Sequence, residues 1–297
     1  VSGMSGAGRD PRGGLRVLTA GPLTTIQDLG RAGHMDVGVA TSGALDARSH
    51  RLANRLVGNA ESCATLEVTF GGLEVEFGRP AAIAVTGADA TLVVDGRTEG
   101  LNARIRVRRG SRVRIGAPRA GVRSYLAVSG GVDAPELYGS RSTDLLSGLG
   151  PEPVTDGDHV ALCDDDEVSP PDVELAPVAP IGHVWTVRLH RGPRVDFFAD
   201  GEFEALCSRP YRVDPRSNRV GLRLDGEPLR RVDRGELPSE GIADGAVEVP
   251  GDGRPLVFLA DHPTTGGYPV IAVVDPEDLP LLGQAGPGDE VRFRPAP

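Results

Sequence analysis

The sequence predicts a mainly β protein made of two related, barrel-type domains with few short helices. Three observations predict it. The 41 glycines and 25 prolines in 297 residues suit short strands joined by many turns, because both residues punctuate helices rather than extend them. Most regular segments alternate apolar and polar residues with the period of two that a half-buried strand requires. The chain also repeats itself. "LRVLTAGP" (15–22) returns as "TVRLHRGP" (186–193), and "ANRLVG" (53–58) as "SNRVGLRL" (217–224). "GGLEVEFGRP" (71–80) returns as "GAVEVPGDGRP" (245–255), and "GSRVRI" (110–115) as "GDEVRF" (288–293). Matches in one shared order point to an old duplication.

The elements follow in order. Residues 1–14, "VSGMSGAGRDPRGG", lack the apolar stretch of a signal peptide and are expected to be a disordered leader, with Met4 as the candidate start. Residues 15–163 form the first β-rich domain. Within it, "SGALDARSHRLANRLVGN" sets Leu45, Leu52 and Leu56 near one face, which predicts a helix with Ser42 as N-cap and Gly58 at its stop. "AAIAVTGADATLVVDGR" alternates in part and turns at Asp95-Gly96, a hairpin signal. "ARIRVRRGSRVRI" sets Arg against Ile and Val, as a strand with one wet face should. Residues 119–162 are an extra segment that the second half lacks. "CDDDEVSPPDVELAPVAP" is acidic, Pro-rich and aperiodic, so residues 164–184 read as a linker. Residues 185–297 form the second β-rich domain. There "VIAVV" (270–274) is a short, β-branched, buried strand, and "DPEDLPLLG" is a helix with Asp275 as cap and Pro276 in its first turn.

Composition narrows the function. A formal charge of −10 argues against a nucleic-acid phosphate binder, and the Arg104–Arg114 strip reads as solvated surface or a contact between subunits. All 32 basic residues are Arg. That excludes a Schiff-base lysine, a P-loop lysine and a biotinylated lysine on this chain. Three scattered cysteines without a CxxC, and six histidines without an HExxH pair, give no disulfide framework and no metal motif. No apolar run approaches the ~20 residues that span a membrane. A cytoplasmic protein acting on a small molecule is the expectation.

Three loops concentrate chemistry. Thr24, Thr25, Gln27, Asp28 and Arg31 offer hydroxyl, amide, carboxylate and guanidinium groups that suit a small amide or carboxylate, or else form a turn that satisfies its own backbone. Arg141, flanked by Ser140, Ser142 and Thr143, suits a carboxylate or phosphate, or lies in a surface loop. "DHPTTGGYP" joins Asp261 and His262, a base and an acid, to Thr264, Thr265, Gly266, Gly267 and Tyr268. Positive φ at the glycine pair would make an anion nest there; a tight turn is the alternative. A fourth stretch, Ser239-Glu240, reads as a turn.

Together, "TTIQDLGR", "SGALD", "YLAVSGGVD", "GSRSTD", "SNRVGLRL", "GAVEVP" and "DHPTTGGYPVIAVV" resemble the family of the 5-oxoprolinase C subunit over roughly Leu15 to Phe293. That family is also called allophanate hydrolase subunit 2, or KipA-like, and is biotin-dependent carboxyltransferase-like. The resemblance implies cyclophilin-like, β-barrel-type units. It implies two partners in a hetero-oligomer, a KipI-like B component and an A component. That complex opens 5-oxoproline to glutamate with ATP, so ATP enters at the level of the complex and the chain alone is inactive. Similar domains in urea carboxylase transfer a carboxyl group from carboxybiotin, and a related pair regulates a sporulation kinase. Both remain alternatives. Within this frame Asp28, Asp261 and His262 are the candidate proton-transfer groups, and Arg31 or Arg141 the holder of a substrate carboxylate. Two departures stand out: "LGPEPVTDGD" replaces the family's Gly-rich run after "GSRSTDLLSG", and Glu248 occupies a position usually held by Gln.

Overall fold

The computed structural model describes residues 13–164 and 173–297. Most of the expected leader and residues 165–172 of the expected linker lie outside the described residues. The fold is mainly β, with three short helices among the described residues: α1 (Ala47–Val57), α2 (Glu202–Ser208) and α3 (Leu279–Leu282).

The first half is a ten-stranded antiparallel sheet. Two long strands, Ala81–Val94 and Arg112–Val128, pair along most of their length and form its spine. Around the second of these the order runs Leu23–Gln27, Thr65–Thr69, Arg112–Val128, Leu73–Phe77, Leu15–Thr19, His159–Leu162 and Val132–Asp133. Alternation fills one side with Leu15, Leu66, Leu73, Ile83 and Ile115, all fully buried. Each such side chain contributes roughly 2 kcal/mol on leaving water.

The second half closes instead. Its barrel runs Val184–Arg191, Val270–Val274, Ala246–Glu248, Leu256–Phe258, Gly221–Asp225, Pro210–Val213 and Glu290–Pro295. The last strand pairs in parallel with the first, so no edge is left open.

Several expectations hold. Asp95 and Gly96 both take positive φ (50° and 80°), the geometry of a tight hairpin turn. Val107 and Val113 are buried while Arg106, Arg112 and Arg114 face solvent, although Arg108–Ser111 breaks the run into two strands. Three of the four repeat pairs fall on strands in both halves. The pair 53–58 and 217–224 does not: it closes α1 in one half and enters a strand in the other. Asn218 explains the difference, because its side chain accepts the Val220 and Gly221 N–H groups and turns the chain into the strand. The described end of the expected linker is not free. Leu175 bridges to Ala103, and Glu174 and Asn102 accept the N–H groups of Arg104 and Ala176.

Both predicted helix caps move. Asp46, not Ser42, caps α1, accepting Ser49 N–H at 3.0 Å, because Ser42 turns away at φ 52°. α3 begins after Asp278 rather than at Asp275, whose carbonyl closes a turn onto the Asp278 and Leu279 N–H groups. α2 has no counterpart in the sequence reading.

These helices lock the two halves together. α1 lies on the sheet's outer face through Ala53, Leu56 and Val57 against Ala84 and Tyr125. Leu45, just before it, packs into the barrel's own core. Gly283, at the end of α3, backs onto Leu45. A Cβ there would sit 2.7 Å from the Leu45 carbonyl oxygen, so only glycine permits the approach. No helix among the described residues is long and apolar enough to cross a membrane.

Candidate functional site

The junction between sheet and barrel is polar and buried. At its centre lies Arg219, 1% exposed, from the turn before Gly221–Asp225. Its Nε and Nη2 donate to the two oxygens of Asp261, each at 2.8 Å. Nη1 donates to Glu67 Oε1 at 2.5 Å, and Nη2 also reaches the Gly43 carbonyl at 2.8 Å. Burial opposes the charge on Arg219, but the two carboxylates outweigh it and hold its pKa above the ordinary value.

Each acid is held in turn. Asp261 accepts Ser42 Oγ–H at 2.7 Å and Leu145 N–H at 3.1 Å. Glu67 accepts the Tyr125 hydroxyl at 2.8 Å and Leu45 N–H at 3.1 Å. Burial, with Glu67 and Asp46 beside it, pushes Tyr125 well above the usual phenol range, so it stays a donor. Gln284 completes the seam, joining Asp46 Oδ2 (2.9 Å) to the Val122 and Arg123 backbone. The Arg219–Asp261 bonds orient the barrel, and Ser42 and Glu67 register the sheet against it.

Beside this seam a cleft of about 350 Å³ separates the halves. Thr41, Ser42 and Arg51 line one wall; Asp244, Ala260 and Leu279 line the other. Asp244 is backed by His262, whose Nε2 lies 2.7 Å from its carboxylate and whose Nδ1 lies 2.7 Å from the Pro263 carbonyl. A carbonyl and an ionised carboxylate both accept, so this pair favours the doubly protonated ring. Burial opposes that charge, but Asp244, the Pro263 carbonyl and Asp261 outweigh it and raise the pKa above 6.5. His262 is thus a buried ring whose charged form is favoured, behind a half-exposed carboxylate.

The loops expected from the sequence converge in part. Asp28 accepts Ser140 Oγ–H and Ser142 Oγ–H at 2.6 Å, Arg141 N–H at 2.6 Å and Gly30 N–H at 2.8 Å. Burial would raise its pKa, but these donors win and lower it. The 24–31 and 140–143 loops are therefore pinned together. Thr24 Oγ–H donates to the Ala20 carbonyl, and Thr25 Oγ accepts Gln27 Nε2–H at 3.0 Å. Arg141 turns outward to Glu136 and Asp133. Arg31 and Gln27 are buried behind Thr41 and Thr143.

The 261–268 loop divides. Asp261 and His262 reach the junction, whereas Thr264–Tyr268 does not. Gly266 and Thr265 pair with Glu240 and Gly241 as an edge ribbon, and Tyr268 is half exposed. Neither Gly266 nor Gly267 takes positive φ, so the expected anion nest is not formed. Ribbon pairing extends the backbone instead. The Glu248 carboxylate, its pKa raised by burial, accepts Tyr268 N–H at 3.2 Å.

Glu67, Arg219, Tyr125, Gln284 and Asp244 escaped the sequence reading. A signal existed for two of them. Glu67 interrupts "TLEVT", a strand buried at every position, and Arg219 precedes an apolar-alternating strand. A charge in such a place needs a partner, and each proves to be the other's.

The likeness to known proteins places this geometry. The chain belongs to the family of carboxyltransferase domains, subdomains A and B, whose model matches residues 37–295. It is 37% identical to the C subunit of 5-oxoprolinase from Escherichia coli over 282 residues, covering 94% of this chain and 90% of that protein. It is 35% identical to urea amidolyase of Lachancea kluyveri, covering 94% of this chain but 17% of that protein. The solved urea amidolyase of K. lactis superposes with a TM-score of 0.89 at 30% identity, over 96% of this chain and 19% of that one.

Proposed function

We propose that this chain is the C subunit of a multi-component, ATP-dependent 5-oxoprolinase that opens 5-oxoproline to glutamate together with A and B components. The observation that carries the reading is the end-to-end likeness to the E. coli C subunit, which leaves little of either chain unmatched. The urea amidolyases match only through a small part of their length, so their whole activity carries over less directly.

The site supports amide chemistry that needs a partner. A lactam is a stabilised amide, and phosphoryl transfer to its oxygen makes its carbon open to water. Without a lysine, this chain offers no P-loop lysine for that phosphate, which is consistent with a partner supplying such a group. Here the cleft supplies Asp244 backed by His262 for proton transfer, with Arg51 on the facing wall. Asp28 and Asp261 act as positioning residues, each already engaged by several donors. The Thr264–Tyr268 ribbon, with its exposed phenol, offers a surface for substrate or for the KipI-like B component.

The test is 5-oxoproline-dependent release of ADP and glutamate by this protein alone, with the B component, and with both the A and B components. Activity in the full mixture only is expected. No activity there, despite a stable complex, overturns the reading. The TM-score of 0.89 favours one second reading, carboxyl transfer to a urea-like amide. It requires a biotinyl carrier on another polypeptide, and carboxylation of urea when such a carrier is added distinguishes it.

A further inference from the structure

One buried cation is left without a counter-charge. Arg31 is 1% exposed, and only its Nη2 finds a partner, the Ser142 carbonyl. Its Nε and Nη1 are buried without a hydrogen bond, and it forms no ion pair among the described residues. Two further buried atoms without a hydrogen bond belong to residues tied to the same segment, 142–143: Gln27 Oε1 and Thr143 Oγ1. Arg31 and Gln27 engage consecutive carbonyls of the segment that carries Thr143. Arg31 donates to the carbonyl of Ser142, while Gln27 Nε2 donates to the carbonyl of Thr143 at 2.9 Å. Ser42 Oγ, on the cleft wall and with its proton turned to Asp261, lies 3.2 Å from that same Thr143 carbonyl.

Orphaned buried groups of this kind are rare, and a buried charge without a partner is the costliest. A water molecule would satisfy a donor but would not neutralise the guanidinium. The unused groups also have a pattern: cationic N–H donors, one amide acceptor and one hydroxyl. Their complement is a small molecule with a carboxylate for Arg31, an amide N–H for Gln27 Oε1 and a carbonyl for the Thr143 hydroxyl. We propose that Arg31, Gln27 and Thr143 form a buried receptor for a small amide that also bears a carboxylate. It opens when the turn 144–150 moves. Under the function proposed above, on which the identity of the ligand rests, that molecule is 5-oxoproline.

The turn fits this role. Gly150 lies against the guanidinium, where a Cβ would come within 3.1 Å of Arg31 Nη2. The turn is closed on itself by Asp144, which accepts the Leu146 and Ser147 N–H groups. Its tie to the junction is one bond, from Leu145 N–H to Asp261. Leu145 and Leu146 meanwhile stand exposed. Ligand entry thus costs one hydrogen bond to the seam rather than an unfolding of either half.

The test pairs calorimetry on the full chain with steady-state kinetics on the three-component complex. The probes are 5-oxoproline, 2-pyrrolidinone, which lacks the carboxylate, and cyclopentanecarboxylate, which lacks the amide. Binding of 5-oxoproline is expected to exceed both others by about tenfold or more, as loss of a charge-assisted or buried hydrogen bond implies. Arg31→Met and Gln27→Leu should remove that preference, and raise KM in the complex. Thr143→Val, which breaks no existing side-chain bond, serves as the variant least able to disturb folding and should weaken 5-oxoproline alone. Turnover with unchanged KM in all three variants overturns the receptor and leaves the proposed function standing. Arg31-dependent binding without turnover in the complex does the reverse. Equal binding of all three probes, or of none, also overturns the receptor.

Discussion

Arg31 and Arg219 are the two largest fully buried side chains of the described structure, and they are treated in opposite ways. Arg219 spends its guanidinium on two carboxylates and a carbonyl; Arg31 spends its own on one carbonyl. Equal burial therefore does not mean equal purpose. A charge that the fold uses is saturated by the fold, because the network that orients it also offsets its desolvation. A charge left half-bonded in the same buried interior is, on the proposal above, held ready for a ligand.

The largest effect should come from breaking the saturated member. Arg219→Met leaves Asp261 buried without its cation and Glu67 with only Arg123 at 3.5 Å, and removing one partner of a buried pair costs about 3–5 kcal/mol. Urea unfolding should show that loss, with the junction giving way first. A variant as stable as the parent would mean that the seam does not hold the halves together.

Histidines extend the contrast to pH. Burial holds His50 neutral, with its pKa lowered to about 4. In the unfolded chain it takes up a proton near pH 6.5, so its contribution is present above that value and is lost as pH falls towards 4. The loss amounts to about 3 kcal/mol. His262 has the opposite sign. With a raised pKa its contribution is complete below pH 6.5 and fades as pH rises through its folded value. Denaturant midpoints measured across pH should fall on both limbs. His50→Gln should flatten the acid limb and leave the alkaline one, and a parallel change in both would break the assignment.

Asp28 lies between the extremes: a buried acid saturated by four donors from two loops. Asp28→Asn replaces an acceptor with an N–H₂ facing hydroxyl and N–H donors, which costs about 1–3 kcal/mol. Faster amide exchange at 140–143 should accompany the loss. An unchanged exchange pattern would show that those loops are pinned by other contacts.

What the sequence made legible follows from what is local. The Asp95-Gly96 turn, the Arg strip and the strand at 270–274 each depend on neighbours in the chain, and each is where the pattern puts it. The polar richness of the 24–31 and 140–143 loops was visible too. Their use was not. Whether Asp28 faces a ligand or four protein donors depends on a loop more than a hundred residues away. The pairing of Glu67 with Arg219 crosses 152 positions. The misplaced cap at Ser42 has the same cause: its hydroxyl is drawn to Asp261, across 219 positions, and not to its own helix.

The smallest effect is the most telling. Arg31→Met removes a guanidinium whose desolvation is met by one carbonyl, and replaces it with a flexible apolar chain of similar length. The hydrogen bond to Ser142 is lost, worth about 1 kcal/mol. The penalty of burying an uncompensated charge is lost with it, so the unfolding midpoint should stay within about 1 kcal/mol of the parent or rise. A drop of the size expected for Arg219→Met would place Arg31 in the scaffold and end the contrast between the two. An unchanged midpoint leaves its buried, idle N–H groups with no structural duty.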